Sequence, residues 1–168
     1  MKNVGPNRNA KTKQGYFRPT NPEKYVGDPD AIIYRSSWEL GFMKNLDDRD
    51  NVERWSSEPI AIPYYSPLDE MKDPPVFGKV RSYYVDFFFT KINSDGSKDD
   101  FFIEVKPMSQ VPTEVLDIKG RKTKKKLMTY IREAEVHLVN KAKFEAAIRY
   151  AEERGARFVI VTEGAGLF

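Results

Sequence analysis

Val80 to Pro107 reads VRSYYVDFFFTKINSDGSKDDFFIEVKP, and this stretch constrains the fold more than any other. Two runs rich in aromatic and β-branched residues flank Asn93-Ser94-Asp95-Gly96-Ser97, which predicts a β-hairpin. Both runs carry charges where a buried strand should have none: Asp86 in the first, Glu104 and Lys106 in the second. Strand side chains alternate, so Glu104 and Lys106 share a face with Phe102. Whether Asp86 joins them depends on register. Centring the turn on Asp95 makes Asp86 and Glu104 opposed neighbours and leaves a Ser94-Asp95-Gly96 loop, with Gly96 at the position that favours positive φ. The competing two-residue Asp95-Gly96 turn slips the pairing by one and sends the two carboxylates to opposite faces. The first register is preferred because it gathers the charges.

Two carboxylates about 5 Å apart across a strand pair repel, so a sheet does not place them there for stability. A divalent cation reverses that sign. Mg²⁺ takes oxygen ligands, one or two of them carboxylates, together with water and substrate phosphate oxygens. Lys106, next along the face, could orient an attacking water and offset charge on a phosphoryl transition state. The plain alternative is a solvated strand face.

Composition narrows the classes. The chain has 168 residues, one domain's worth, with 40% hydrophobic and 32% charged residues, which suits a globular fold. There are no cysteines, so disulfides, thiolate metal sites and cysteine nucleophiles are excluded, and a reducing cytoplasm is compatible. His137 is the single histidine, which excludes histidine-cluster metal sites; a structural role is expected for it. No apolar run approaches about 18 residues, and the polar N-terminus does not read as a signal peptide, so no membrane is expected. The net charge of +3 is informative only through its distribution.

Residues 1–29 are polar and rich in Asn, Lys, Gly and Pro, and are expected to form a flexible basic arm, with Tyr16 and Phe17 as the residues able to tie part of it down. Ile32 to Asp47 reads as a helix with Ser36-x-x-Glu39 as a capping box. Glu39, Phe42, Met43 and Leu46 fall at i, i+3, i+4 and i+7, so Glu39 heads the apolar stripe and is expected to lean inward rather than act as a cap alone. Val52 to Tyr65 holds one or two short strands. Glu53 and Glu58 lie there as rival ligands, with Glu58 expected at an edge. Pro67 to Gly78 reads as an inserted loop. Past the hairpin, Lys119 to Lys126 places Lys119, Arg121, Lys122, Lys124, Lys125 and Lys126 in eight residues, the expected phosphate-contacting patch. A helix over Lys122 to Glu135, a break near His137, and a second helix capped by Asn140 and ended by Gly155 are predicted next. Arg157 to Thr162 is continuously apolar and is expected to be a strand buried on both faces beside the crossover helix. Residues 164–168 read as a flexible tail.

Helix with Glu39, strand, strand with Asp86, strand with Glu104-Val105-Lys106, helix, strand: this order resembles the PD-(D/E)xK nuclease superfamily, with Val85-Asp86 standing where the family has Pro-Asp. Within it the chain is most similar to the head-completion nucleases of T-even-type tailed phages, and next to transposon-end-cleaving endonucleases. The carrying residues are Tyr34 to Glu39, Trp55 with Glu58, Tyr84 to Phe87, Ile103 to Pro107, Asn140 to Phe144 and Phe158 to Glu163. The resemblance implies an α/β fold with a restriction-endonuclease-like αβββαβ core, a central mixed sheet flanked by helices, and a single nuclease domain over residues 30–163. It implies a Mg²⁺-dependent DNA endonuclease, with Mn²⁺ as a substitute. Asp86, Glu104 and the Val105 carbonyl would hold the metal, Lys106 would position the nucleophile, and Glu39 would bind a second metal or orient the first. Arg35, Arg81 and Lys143 join the basic patch as expected contacts to double-stranded DNA, and Gln110 is a further candidate. Head completion would place the protein in the host cytoplasm or on the virion, against head or neck proteins near the portal. The alternative is a structural head or neck protein that keeps the fold without the chemistry.

Overall fold

The computed structural model describes residues 14–112 and 123–162. A mixed four-stranded sheet separates two hydrophobic layers. Its strands are β3 (Val52–Ser57), β6 (Phe87–Ile92), β7 (Lys98–Val105) and β8 (Arg157–Val161), in the order β3-β6-β7-β8. β3, β6 and β7 run antiparallel, and β8 joins β7 in parallel.

The hairpin forms because its two runs can stack aromatic rings across the ladder. Phe88 meets Phe102 at 5.1 Å between ring centroids, and Phe89 stacks on Phe101 at 4.9 Å. Such pairs contribute about 0.5–1.5 kcal/mol each beyond the area they bury. Every β6–β7 partner pair, from Phe87 with Ile103 to Ile92 with Lys98, is centred on Asp95. The turn closes through Asn93 N–H to the Ser97 carbonyl (2.8 Å), and Gly96 takes φ +82°. The gathering register is therefore the one adopted.

Helix α1 (Ser37–Asp48) covers one face. Ser36 is its N-cap and accepts the Glu39 N–H at 3.1 Å. Phe42, Met43 and Leu46 enter a core with Val52, Trp55, Phe87, Phe89 and Ile103. The helix is shorter than the expected Ile32–Asp47, because Ile33–Tyr34 forms β2 and pairs with β1 (Gly15–Tyr16). Residues 14–29 also depart from a flexible arm. Phe17 is buried against Trp55, the Val26 N–H bonds the Trp55 carbonyl, and Lys24 Nζ bonds the carbonyls of Asp47 and Arg49 at the end of α1. Those last carbonyls have no helical partner, and a lysine there also suits the helix dipole. Tyr16 stays exposed. Residues 1–13 and 163–168, including the expected tail, lie outside the described residues.

Helix α3 (Lys124–Glu152) covers the other face, capped by Thr123. It is one 29-residue helix, not two. His137-Leu-Val does not break it, and Asn140 sits inside it, buried, donating to the Gln110 carbonyl at 2.8 Å. A side chain that can cap a helix can equally reach across from a helix interior to an unpaired carbonyl, and here tertiary pairing wins. Gly155 (φ +66°) turns the chain into β8. β8 is an edge strand whose middle residues are half-buried, and both its faces are covered as expected, Val159 and Val161 on one side and Phe158 and Ile160 on the other. Continuous apolarity here reflects α3 on one side and the α1 core on the other, at a sheet edge.

The run VRSYYVDFFF is split. β5 (Val80–Tyr84) leaves the sheet to pair with β4 (Ala61–Tyr65) in a separate two-stranded ribbon, and only from Phe87 does the chain enter the main sheet. The ribbon, closed by the short helix α2 (Pro67–Glu70) and the ion pair of the buried Asp69 with the partly exposed Arg81, is an insertion between β3 and β6. Without it the order is α1-β3-β6-β7-α3-β8, the expected αβββαβ core.

Candidate active site

Asp86 lies in the two-residue gap between β5 and β6, directly before the first β6–β7 pair. The Asp95-centred register sets it opposite Glu104. Its Oδ2 accepts the Val105 N–H at 2.8 Å, and its own carbonyl accepts the Glu58 N–H at 2.9 Å. Glu58 takes φ +44°, a conformation that costs a non-glycine residue about 1–3 kcal/mol and collects near functional sites. Its carboxylate is solvated and paired with Arg35 at 3.2 Å. This is the edge role expected of it rather than a ligand role.

Glu104 is 2% exposed, and both its oxygens are held. Oε1 pairs with Lys106 Nζ at 2.9 Å, and Oε2 accepts the Tyr83 hydroxyl at 2.6 Å. The Lys106 backbone N–H bonds the Val161 carbonyl, so β8 fixes the strand end that carries it. Lys143, on α3, places Nζ 5.6 Å from the Tyr83 ring centroid and 5.8 Å from that of Tyr64. Glu39 reaches the same neighbourhood from α1 by its charge. Its carboxylate oxygens bond the Arg35 N–H (2.8 Å) and the Ser36 hydroxyl (3.0 Å), so it is both a cap and a part of the local field.

The titration behaviour follows from this packing. Burial, followed by the Glu104 charge, pushes the Asp86 carboxyl up to about 8, against the pull of the Val105 N–H and Lys106. For Lys106, burial works downward, but the Glu104 charge and hydrogen bond, with Asp86 and Glu39, raise it overall. Burial, then the nearby Lys106, lowers Lys143. Burial, then Glu104, raises the Tyr83 phenol far above its ordinary range, so it remains a donor.

A cation fits this donor set. Two neighbouring carboxylates, one of which resists ionising first through burial and then through the other's charge, form a place that a divalent ion would stabilise. Among the described residues no three acidic or histidine side chains converge closely enough to form a metal cluster. The set is thus Asp86 and Glu104 with adjacent backbone, and Glu39 stands apart from it.

Of the expected DNA contacts, Lys143 is at the site and Arg35 flanks it on Glu58. Arg81 is instead clamped on the buried Asp69 (2.5 and 2.7 Å) and belongs to the ribbon's own structure. Lys124, Lys125 and Lys126 are exposed on the first turn of α3, whereas Lys119, Arg121 and Lys122 fall outside the described residues. His137 bonds the Ser109 carbonyl at 3.0 Å, a structural role as expected. Sequence reasoning missed Tyr83. The available signal was the Tyr83-Tyr84 doublet: on a strand one of the two must point inward, and an inward hydroxyl needs a polar partner.

An αβββαβ core with Asp, Glu and Lys gathered at the hairpin base defines an endonuclease-type site. Residues 49–163 match the family described as TnsA-like endonuclease N terminal, and the chain belongs to that family. It is also 36% identical over 149 residues to the head completion nuclease of Enterobacteria phage T4, covering 89% of this chain and 90% of that protein.

Proposed function

We propose that this chain is a Mg²⁺-dependent endonuclease that hydrolyses phosphodiester bonds in double-stranded DNA. The observation that carries the reading is the opposed Asp86–Glu104 pair with Lys106 bonded to Glu104. Asp86, Glu104 and the Val105 carbonyl would hold the ion, with Mn²⁺ able to replace Mg²⁺. Bound there, it would supply Lewis acidity and charge neutralisation at the scissile phosphate. The Lys106 ammonium stays protonated beside Glu104, so it orients a water by donating to it and offsets charge as the phosphate oxygens gain it. The Val105 N–H fixes Asp86 Oδ2, and Oδ1 would be the oxygen offered to the ion. Glu39 adds negative charge from α1 that helps retain the cation. Lys143, Arg35 and the first turn of α3 would meet the DNA backbone.

Similarity to a phage head completion nuclease supports a role in completing a phage head; on that reading the chain would act in the host cytoplasm or on the virion, with head or neck proteins near the portal as partners. The test is cleavage of linear and supercoiled DNA with Mg²⁺, Mn²⁺ or EDTA, beside Asp86→Ala. Metal-dependent cutting that the variant lacks supports the reading. DNA binding without cutting under any metal condition points instead to a structural head protein with this fold.

A further inference from the structure

Glu104 is a buried carboxylate, and a buried carboxylate without partners would cost far more than the fold could offset. Its two oxygens are satisfied differently. Oε1 has Lys106, whose side chain is 26% exposed and opens toward the surface. Oε2 has the Tyr83 phenol, 4% exposed, at 2.6 Å. A phenol hydroxyl is a single donor held on a rigid ring, so this bond leaves Glu104 little freedom to rotate. The ring has a second contact. Lys143 Nζ lies over it, and over Tyr64, so the aromatic pair seats a second cation at the rim of the same site.

Tyr83 is not placed there by the main sheet. It belongs to the inserted ribbon, paired with Ile62 of β4, and lies in the same buried cluster as Phe102 and Phe144. The ribbon thus contributes to the site through this side chain. Packing alone would be served by phenylalanine, and the hydroxyl adds only the bond to Glu104.

We infer that Tyr83 is a positioning residue of the proposed nuclease site: its hydroxyl holds Glu104 Oε2 so that Oε1, the oxygen that also meets Lys106, is the one left to share with the cation, and its ring holds Lys143 toward the substrate phosphate. The inference rests on the nuclease reading and adds a division of labour to it. Mg²⁺ demands near-ideal octahedral geometry, so a carboxylate fixed to present one oxygen suits it, and a freed carboxylate can rotate or chelate through both. Partners that orient metal ligands typically change metal affinity or activity about 10–100-fold when removed.

The test separates the two contacts. Mn²⁺ and Mg²⁺ affinities are measured by calorimetry without DNA for the wild type, Tyr83→Phe and Lys143→Gln, at a temperature where each is folded by circular dichroism. KM and kcat for DNA cleavage are then measured on the same proteins. Tyr83→Phe keeps the ring and is expected to weaken Mg²⁺ binding about tenfold or more, Mn²⁺ binding less, and to leave the KM for DNA unchanged. Lys143→Gln removes a positive charge beside the ligands and is expected to raise the KM without weakening metal affinity. A purely structural tyrosine would lower the melting midpoint without changing the Mn²⁺ to Mg²⁺ preference. Unchanged Mg²⁺ affinity in Tyr83→Phe, with normal binding by the wild type, overturns this inference alone. Absence of metal binding by the wild type overturns the nuclease reading and this inference with it.

Discussion

Asp86 and Glu104 sit across from one another at the base of a hairpin whose ladder is centred on Asp95, and the backbone N–H of Val105 reaches over to Asp86 at 2.8 Å. That hydrogen bond anchors a carboxylate beyond the end of β6, where the ladder itself no longer fixes it. The proximity of the two carboxylates is therefore set by the backbone register, and the Val105 N–H holds Asp86 in it.

The arrangement has a signature in stability. With its carboxyl raised to about 8 in the folded chain, Asp86 binds more proton folded than unfolded across the interval from about 4 to 8. Stability changes with pH in proportion to protons bound unfolded minus protons bound folded, which is negative here, so the metal-free protein loses stability as pH rises through that interval. Asp86→Asn, which still accepts the Val105 N–H, should remove this loss. Thermal melts in EDTA should show the variant more stable than wild type at pH 8 and little different at pH 4. Added Mg²⁺ should raise the wild-type midpoint at pH 8 and leave the variant's unchanged. Parallel pH profiles for the two proteins would refute the assignment.

Lys106 offers a cleaner kinetic test. Its side chain bonds Glu104 and remains partly exposed, so Lys106→Met preserves the strand and removes the charge. Loss of one positioned proton donor typically costs about 10²–10⁴ in rate. A fall in kcat of that size with DNA affinity within a few-fold is expected. Wild-type turnover would exclude Lys106 from the chemistry.

Glu39 combines two roles that substitution can divide. Ser36→Ala removes the cap and should cost about 1 kcal/mol, or about 2–4 °C in melting midpoint for a chain of this size, without loss of cleavage. Glu39→Gln keeps an acceptor for the Arg35 N–H but removes the charge felt by Asp86 and Lys106. It should melt like wild type and cut at least about tenfold more slowly. Full activity in Glu39→Gln would leave Glu39 a cap only.

These residues also show what a sequence can disclose. Asp86, Glu104 and Lys106 were legible because charges inside apolar strands are costly, and of the two registers that the turn allowed, the one that gathers those charges is the one adopted. The core order followed from the sequence of caps, turns and apolar runs taken together with the family resemblance. Tyr83 was hidden by strand periodicity. Strict alternation from Val80 to Thr90 puts Tyr83 on the face away from Asp86, but the chain changes sheets at Val85-Asp86 and the phase resets there. Phe87 consequently faces the α1 core while Val85 and Tyr83 face α3. The unbroken α3 was missed because Asn140 has cap chemistry whose actual partner, the Gln110 carbonyl, is 30 residues away. A short-range reading cannot see that partner.

The first turn of α3 supplies the last prediction. Lys124, Lys125 and Lys126 are exposed at a helix N-terminus, where the dipole opposes positive charge by about 0.3–1 kcal/mol per residue. Their cost to the helix is offset if the turn meets phosphates. Replacing all three by Gln should therefore raise the melting midpoint while weakening DNA binding. The slope of log affinity against log salt should become shallower by about 0.9 for each phosphate that the turn no longer neutralises, up to about 3 in total. The two effects must move in opposite directions, which a general loss of folding cannot imitate. A higher midpoint with an unchanged salt slope would show that the turn lies off the DNA and would leave, of the proposed contacts among the described residues, Arg35 and Lys143.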